Sequence, residues 1–402
     1  MTDRRRAVRP GEAEGPRVEQ QGRVWRVRSL AAARQVLRAR DSTTQAGFTA
    51  EWIPKGWLRH HPILISDGPQ HDEQRSKVAR FFAPAVVARN YPDRMEACAD
   101  ALLARAVEAG GCRLDELALH YAVEVTAEVV GLTHAPTPEL SARLVEFFNQ
   151  PPFDLTQPRL GRTGRQWAQA ARNALLPLLR FHLADVAPAI RERRRQPRAD
   201  VVSHLIAQGY TNSDILVECL TYGTAGMVTT REFITMAAWH LLDNTALRER
   251  YLVAEQAERF AILEEIIRLE PVVGHLYRRA TADIDLTDGD AGYTVPAGDL
   301  IDVCVRQANA DAEAVGADGR DLCPGRTLPA GVGGAGLAFG DGAHKCPGQP
   351  LAILETDVLL TRLLRLSPRV VAEPVIGWDN LIEGYWLRGL DLALAHPTQD
   401  AD

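Results

Sequence analysis

Apolar residues recur at three- and four-residue intervals over most of the chain, the spacing that turns one face of an α-helix toward a core. Residues 30–39, 92–109, 118–131, 138–148, 165–195, 214–242, 245–270 (with a break) and 350–366 carry this pattern. Short strand-like runs sit toward the ends, at 22–29, 282–286, 300–305, 369–376 and 390–395. The pattern predicts a mainly α protein with a small β region beside a helical body. The helix over 214–242 has both ends marked: Thr211 and Asp214 form an approximate capping box, and Asp243-Asn244 supply a stop.

The stretch from Ile215 to Leu242 is long enough to span a bilayer, but Glu218, Arg231 and Glu232 interrupt it. Charges in a membrane core are costly, so the stretch reads as the buried central helix of a soluble protein. No apolar run follows the arginines of MTDRRRAVRPGEAEGP, so residues 1–20 read as a mobile tail, neither secretory signal nor anchor, and residues 21–397 as one large domain. A net charge of −6 with no basic domain argues against nucleic-acid binding. The cysteines at 98, 112, 219, 304, 323 and 346 lack CxxC spacing, which argues against a disulfide framework and a zinc site and fits a reducing cytoplasm.

The segment 311–342 is rich in Gly, Pro and Asp and reads as a long loop, of the kind that is usually functional. Gly331–Gly336 matches GxGxxG, but no strand precedes it, so the dinucleotide reading is weak and the glycines read as loop flexibility. The end of this loop carries more chemistry: FGDGAHKCPGQPLA at 339–352 sets Cys346 among glycines just ahead of a helix. A thiolate at a helix start is stabilised by amide donors and the helix dipole, and a thiolate on heme iron favours O–O cleavage. Taken alone, the cysteine is better read as a buried inert thiol.

The whole pattern, filled by Phe339, Gly340, Gly342, His344, Cys346, Gly348, Leu351 and Ala352, resembles the heme-binding signature of the cytochrome P450 family. SDGPQHDEQR at 66–75 is similar to a second family segment, with His71 and Arg75 at positions that hold heme propionates. Glu265 and Arg268 match the family's E-x-x-R, joined by Arg326 to pin the cysteine loop, and Arg278 matches a further propionate contact, with Arg279 adjacent. In the central helix, Ala225, Gly226 and Thr229 match the oxygen-binding turn, with Thr229 as the oxygen-activating threonine. Glycine costs roughly 1 kcal/mol in a helix interior, and close approach to a flat cofactor and O₂ would account for Gly226. The Thr229 hydroxyl can bond the Ala225 carbonyl and loosen the helix locally.

The resemblance covers about residues 22 to 395 and implies the P450 fold, a single helical domain with its long central helix over the heme. It implies heme b with Cys346 as axial ligand, His344 toward a propionate, Phe339 shielding the sulfur, and insertion of one oxygen atom of O₂ into a small organic substrate, expected to be a secondary metabolite. It also implies a ferredoxin-type electron donor with its reductase, because the chain holds no reductase domain; Arg75, Lys77, Arg80, Lys345, Arg362 and Arg365 would form the donor-facing patch. A cytoplasmic monomer is expected. The substrate pocket is expected around residues 53–65, 145–172, 222–229 and 272–276, with Trp57, His60, His61, Phe147, Phe148 and His275 as candidate contacts.

The sequence departs from the family at Val228, where an acid usually precedes the threonine and helps relay protons. Glu232, one turn on, is either a substitute relay or one half of a salt link. Val228 favours an alternative in which the heme runs oxidative coupling, desaturation or peroxide-driven oxidation. A non-catalytic heme protein that carries or senses a ligand is a third reading, which the retained Thr229 opposes.

Overall fold

The computed structural model describes residues 5–9, 14–47, 61–379 and 381–394. Trp57 and His60, and position 397 at the expected end of the domain, lie outside the described residues. The helical body contains each periodic segment at close to its expected bounds, including Leu30–Arg38, Pro92–Glu108, Leu114–Val130, Thr137–Glu146 and Gln349–Arg365. The break in 245–270 separates Thr245–Val253 from Gln256–Leu269, and Asn244 both ends the central helix and caps the next, accepting from Leu247 N at 3.0 Å. The Thr211–Asp214 capping box is present in both directions.

Two long helices change pitch inside. Residues His182–Val186 and Gly223–Val228 are π-helical, which divides 164–195 and 212–243 each into three parts. The second lies in the central helix, between Asn212–Tyr222 and Thr229–Asp243. That helix packs on Leu114–Val130 and on Gln349–Arg365, so it is walled by protein through most of its length. Among the described residues no helix is long and apolar enough to cross a membrane.

The largest sheet has the strand order Val18–Gln21, Val24–Val27, Leu300–Cys304, His275–Ala280, Thr43–Gln45. Its Val24–Val27 and Leu300–Cys304 pair is parallel and the rest antiparallel, so segments from opposite ends of the chain close one sheet. This sheet makes a mobile tail over 1–20 untenable for the described part: Val18–Gln21 is its edge strand. Upstream, Arg5 donates to the carbonyls of Leu269 (2.6 Å) and Arg306 (2.8 Å), and Ala7 is fully buried with its N–H on Glu270. Arginines expected in a mobile tail bond to carbonyls and acids of the body, Arg5 to Leu269 O and Arg306 O, Arg6 to Asp243 and Arg9 to Glu383.

One apolar core runs through the helical body and a second, holding Trp25, Val27, Ile301 and Val303, lies under the sheet. The loop before Cys346 is anchored in both, through Ala335 in the first and Leu337 in the second.

Candidate active site

The cysteine loop is held from behind by a buried ion network. Arg268, fully buried, donates to both oxygens of Glu265 (2.6 and 2.7 Å) and to the carbonyls of Asn309 (2.6 Å) and Gly319 (2.9 Å). Glu265 also accepts from the N–H of Cys323 (2.9 Å) and lies 3.4 Å from Arg326 Nε. Each charge is therefore paired and hydrogen-bonded, the condition under which burial is tolerated. Asn309 completes the link, donating to Arg268 O (3.0 Å) and accepting from Leu337 N (2.7 Å) at the entrance to the loop. Sequence reading missed Asn309, since a lone asparagine carries no spacing signal.

In the loop itself, Cys346 N donates to Phe339 O at 2.7 Å, closing a turn that contains Gly340 (φ +70°) and Gly342 (φ +67°). Left-handed backbone suits glycine, and at Gly342 a Cβ would lie 2.2 Å from the carbonyl oxygen of Leu37. Gly342 is thus demanded by the neighbouring helix, Leu30–Arg38. Cys346 is accessible even though protein atoms surround it densely. Burial pushes its thiol pKa up, while the amides of Gly348 and Gln349 and the charge of Arg75 oppose that shift.

His71, Arg278 and His344 line one cavity with Leu37, Arg40, Thr43, Asp67, Gly68 and Ala343. The His71 and His344 rings lie 4.2 Å apart, and His344 Nε2 is 3.1 Å from Asp67 Oδ1. His71 has its pKa lowered to about 4, by burial first and then by His344 and Arg75. Arg278 is buried, donating to Gln45 and to Tyr277 O (2.8 Å), with burial lowering its pKa to about 10. Arg279, the adjacent candidate, turns away to Gly298 O (3.3 Å). Arg75 does not line this cavity; it donates to Lys345 O at 2.5 Å, beside the cysteine.

In the central helix Ala225 is exposed and Thr229 half-buried, although Gly223, Met227, Val228 and Thr230 between and beside them are buried. Thr229 donates its hydroxyl to the Ala225 carbonyl, and Thr230 does the same to Gly226 at 2.6 Å. These back-bonds accompany the π-helical turn and account for the loosening expected there. Gly226 has another setting than expected: a Cβ on it would meet Thr126 at 3.4 Å, so its bare side faces the helix Leu114–Val130, and Ala225 is the residue opened to space.

Glu232 is not a free acid. It accepts from Leu387 N (2.8 Å), Arg388 (2.9 and 3.0 Å) and Arg231 (2.8 Å), which is the salt-link reading. Two other buried acids stand near the π-turn and were missed by sequence reading. Glu355, beside the Thr230 hydroxyl, has its pKa raised to about 8 by burial, and its Oε2 has no partner among the described residues. Glu218, raised to about 7 by burial, accepts from Ile63 N at 3.1 Å.

A sequence model of the family described as Cytochrome P450 matches residues 260–366, the span from the Glu265–Arg268 pair through Cys346 to the helix behind it. The erythromycin C-12 hydroxylase of Saccharopolyspora erythraea is 29% identical over 361 residues, 87% of this chain and 83% of that one. Family model and relative together support a bacterial-type cytochrome P450. The mycinamicin VIII C21 methyl hydroxylase of Micromonospora griseorubida is 26% identical, over 78% of this P450 and 74% of the relative. The solved structure of Mycobacterium smegmatis CYP164A2 superposes with a TM-score of 0.74 at 28% identity, covering 92% of this P450 and 91% of that chain.

The family is heme-thiolate and both of these relatives are hydroxylases, so this P450 is a monooxygenase and heme is its cofactor. The residues fit that group. An accessible thiol is available as a ligand, and two imidazoles and a guanidinium converge on one cavity as carboxylate partners. Of the expected substrate contacts, Phe147 is buried edge-on against Phe181 (6.2 Å between ring centroids) and Phe148 packs on the core, so both serve packing. His61 offers its carbonyl to Gln74 Nε2 at 2.6 Å, and His275 is paired with Asp302 at 2.7 Å beside a small pocket.

Proposed function

We propose that this P450 inserts an oxygen atom from O₂ into a small apolar molecule of secondary metabolism, with Cys346 as the axial ligand of heme b. His71, Arg278 and His344 would hold the propionates, and Arg75 would steady the cysteine loop through Lys345 O. Phe339 and Gly340 would wall the proximal side, with Gly348 presenting its amide to the sulfur. The observation that carries this reading is the exposure of Cys346 in its loop together with that of Ala225, beside half-buried Thr229, in a turn whose Gly223, Met227 and Val228 are buried. The erythromycin and mycinamicin hydroxylases support the substrate class.

Bound heme supplies the redox chemistry of oxygen activation. The protein's task is to deliver protons and hold water in place. Thr229 keeps its hydroxyl on the Ala225 carbonyl, ready to exchange that bond for one to oxygen or water. Val228 cannot donate a proton, and Glu232 is occupied by arginines. Glu355, uncharged at neutral pH and next to Thr230, is the acid whose state and position suit proton supply. Electrons would come from a ferredoxin-type donor. Arg80, Lys345 and Arg365 are exposed and have no ion pair among the described residues, whereas Lys77 and Arg362 are neutralised by Glu73 and by Glu96 and Asp100. A smaller donor-facing patch than the sequence suggested supports this reading.

Val228 favours a second reading, in which the substrate's own acidic group supplies protons and the reaction is coupling, desaturation or peroxide-driven oxidation. Turnover with a surrogate ferredoxin system, set against peroxide alone on candidate macrocycles and phenols, separates the two. Hydroxylated product only with the electron donor supports oxygen insertion; coupled or desaturated product, or product with peroxide alone, supports the second reading. Absence of turnover in both, with substrate-induced spectral shifts present, overturns them together.

A further inference from the structure

The strand Leu300–Cys304 is buried at every position. Alternation along a strand puts Ile301 and Val303 on one face, in the apolar core under the sheet, and Leu300, Asp302 and Cys304 on the other. A carboxylate and a thiol therefore face the protein interior on one side of one strand. The antiparallel neighbour sets His275 opposite Cys304 and Tyr277 opposite Asp302. His275 Nδ1 lies 2.7 Å from Asp302 Oδ1, and one nitrogen, one oxygen and one sulfur atom of the three residues lie within 4.8 Å of one another. Beside His275 is a small pocket lined by Gly47, Leu155, Tyr277, Leu381, Ile382 and Glu383.

We propose that His275, Asp302 and Cys304 bind a divalent transition-metal ion of the zinc class, with its fourth position open to that pocket. Nitrogen, carboxylate and thiolate together suit a borderline-soft ion, and three protein ligands with one open position is a familiar zinc arrangement. Hard cations such as magnesium would reject the sulfur.

The charge balance also works. Without metal, an imidazolium hydrogen-bonded to a carboxylate beside a neutral thiol would carry no net charge. On binding, the imidazole and the thiol each release one proton to solvent, and the dication is balanced by carboxylate and thiolate. No net charge is buried at either stage, so the desolvation that opposes burying an unpaired ion does not arise. The surrounding charges are disposed to allow this. Arg26 Nε lies 3.9 Å from the other oxygen of Asp302 and can orient it, while Glu383 on the pocket wall is neutralised by Arg9 at 2.7 Å. Cys304 lies in the sheet and Cys346 in the loop ahead of the helix Gln349–Arg365, so the two thiols would serve different metals.

Zinc chloride titrated calorimetrically into heme-loaded, chelator-washed protein tests this. The expected result is one saturable site per chain, weakened at least about tenfold by Cys304→Ser and by His275→Gln. X-ray absorption at the zinc edge of the native protein should show one sulfur atom in the metal's shell, which needs no variant to fold. The absence of saturable binding, binding undiminished in either variant, or a zinc shell without sulfur would overturn the proposal. The readouts are zinc and its sulfur ligand, so they stand apart from the oxygenase reading.

Discussion

The Thr229 hydroxyl donates to the carbonyl of Ala225 across the π-helical turn of the central helix. The side-chain bond spans the loosened turn, and Ala225 is exposed beside half-buried Thr229. Replacing Thr229 by Ala removes the donor without disturbing the buried neighbours. The product formed per electron pair should fall several-fold and hydrogen peroxide should rise, with heme content unchanged; paired product and peroxide assays check this.

Glu355 gives the clearest pH signature. Its folded pKa is raised to about 8 against an ordinary glutamate value of 4.5, so the folded state holds this proton more tightly than the unfolded state does. Stability then falls as pH rises from about 4.5 to about 8. Glu355→Gln removes the ionisation, so its melting temperature should gain on the native protein through that window and stay level with it in acid. The same variant should lower coupling and change the solvent isotope effect on product formation if Glu355 supplies protons; a purely structural role would move the melting curve alone.

Glu232 and Val228 divide the remaining possibilities. Glu232→Gln should destabilise the fold by about 3 kcal/mol by loosening its pairing with buried Arg231 and with Arg388, leaving product per electron unchanged. Val228→Asp should raise product per electron, since it restores an acid beside Thr229. Denaturant titration and coupling assays on the pair measure both.

The Glu265–Arg268 pair should behave as structure. Glu265→Gln leaves Arg268 buried without its charge partner, and a loss of about 3 to 5 kcal/mol in unfolding free energy is expected, with release of heme on dilution. Chemical denaturation followed at the Soret band and by far-UV circular dichroism reads both effects.

These residues also show where the sequence speaks and where it falls silent. Helices with an apolar stripe, such as Leu114–Val130, announce themselves by spacing. The helix Gly68–Phe82 does not, because its buried face includes His71 and Gln74, polar residues that periodicity assigns to solvent. The strand His275–Ala280 hides for a related reason: its buried positions hold Arg278 and Tyr277. The cysteine motif was legible because its parts are contiguous. Asn309 and Glu355 were not, because their meaning depends on contacts with Leu337 and Thr230 that only folding creates.

Every role assigned around the heme cavity rests on ligation of the iron by Cys346. The reduced carbon monoxide complex of the native protein should show the red-shifted Soret band of thiolate ligation, and Cys346→Ser should lose it while retaining bound heme. A native spectrum without that band, or a Cys346→Ser spectrum indistinguishable from the native one, would refute that ligation.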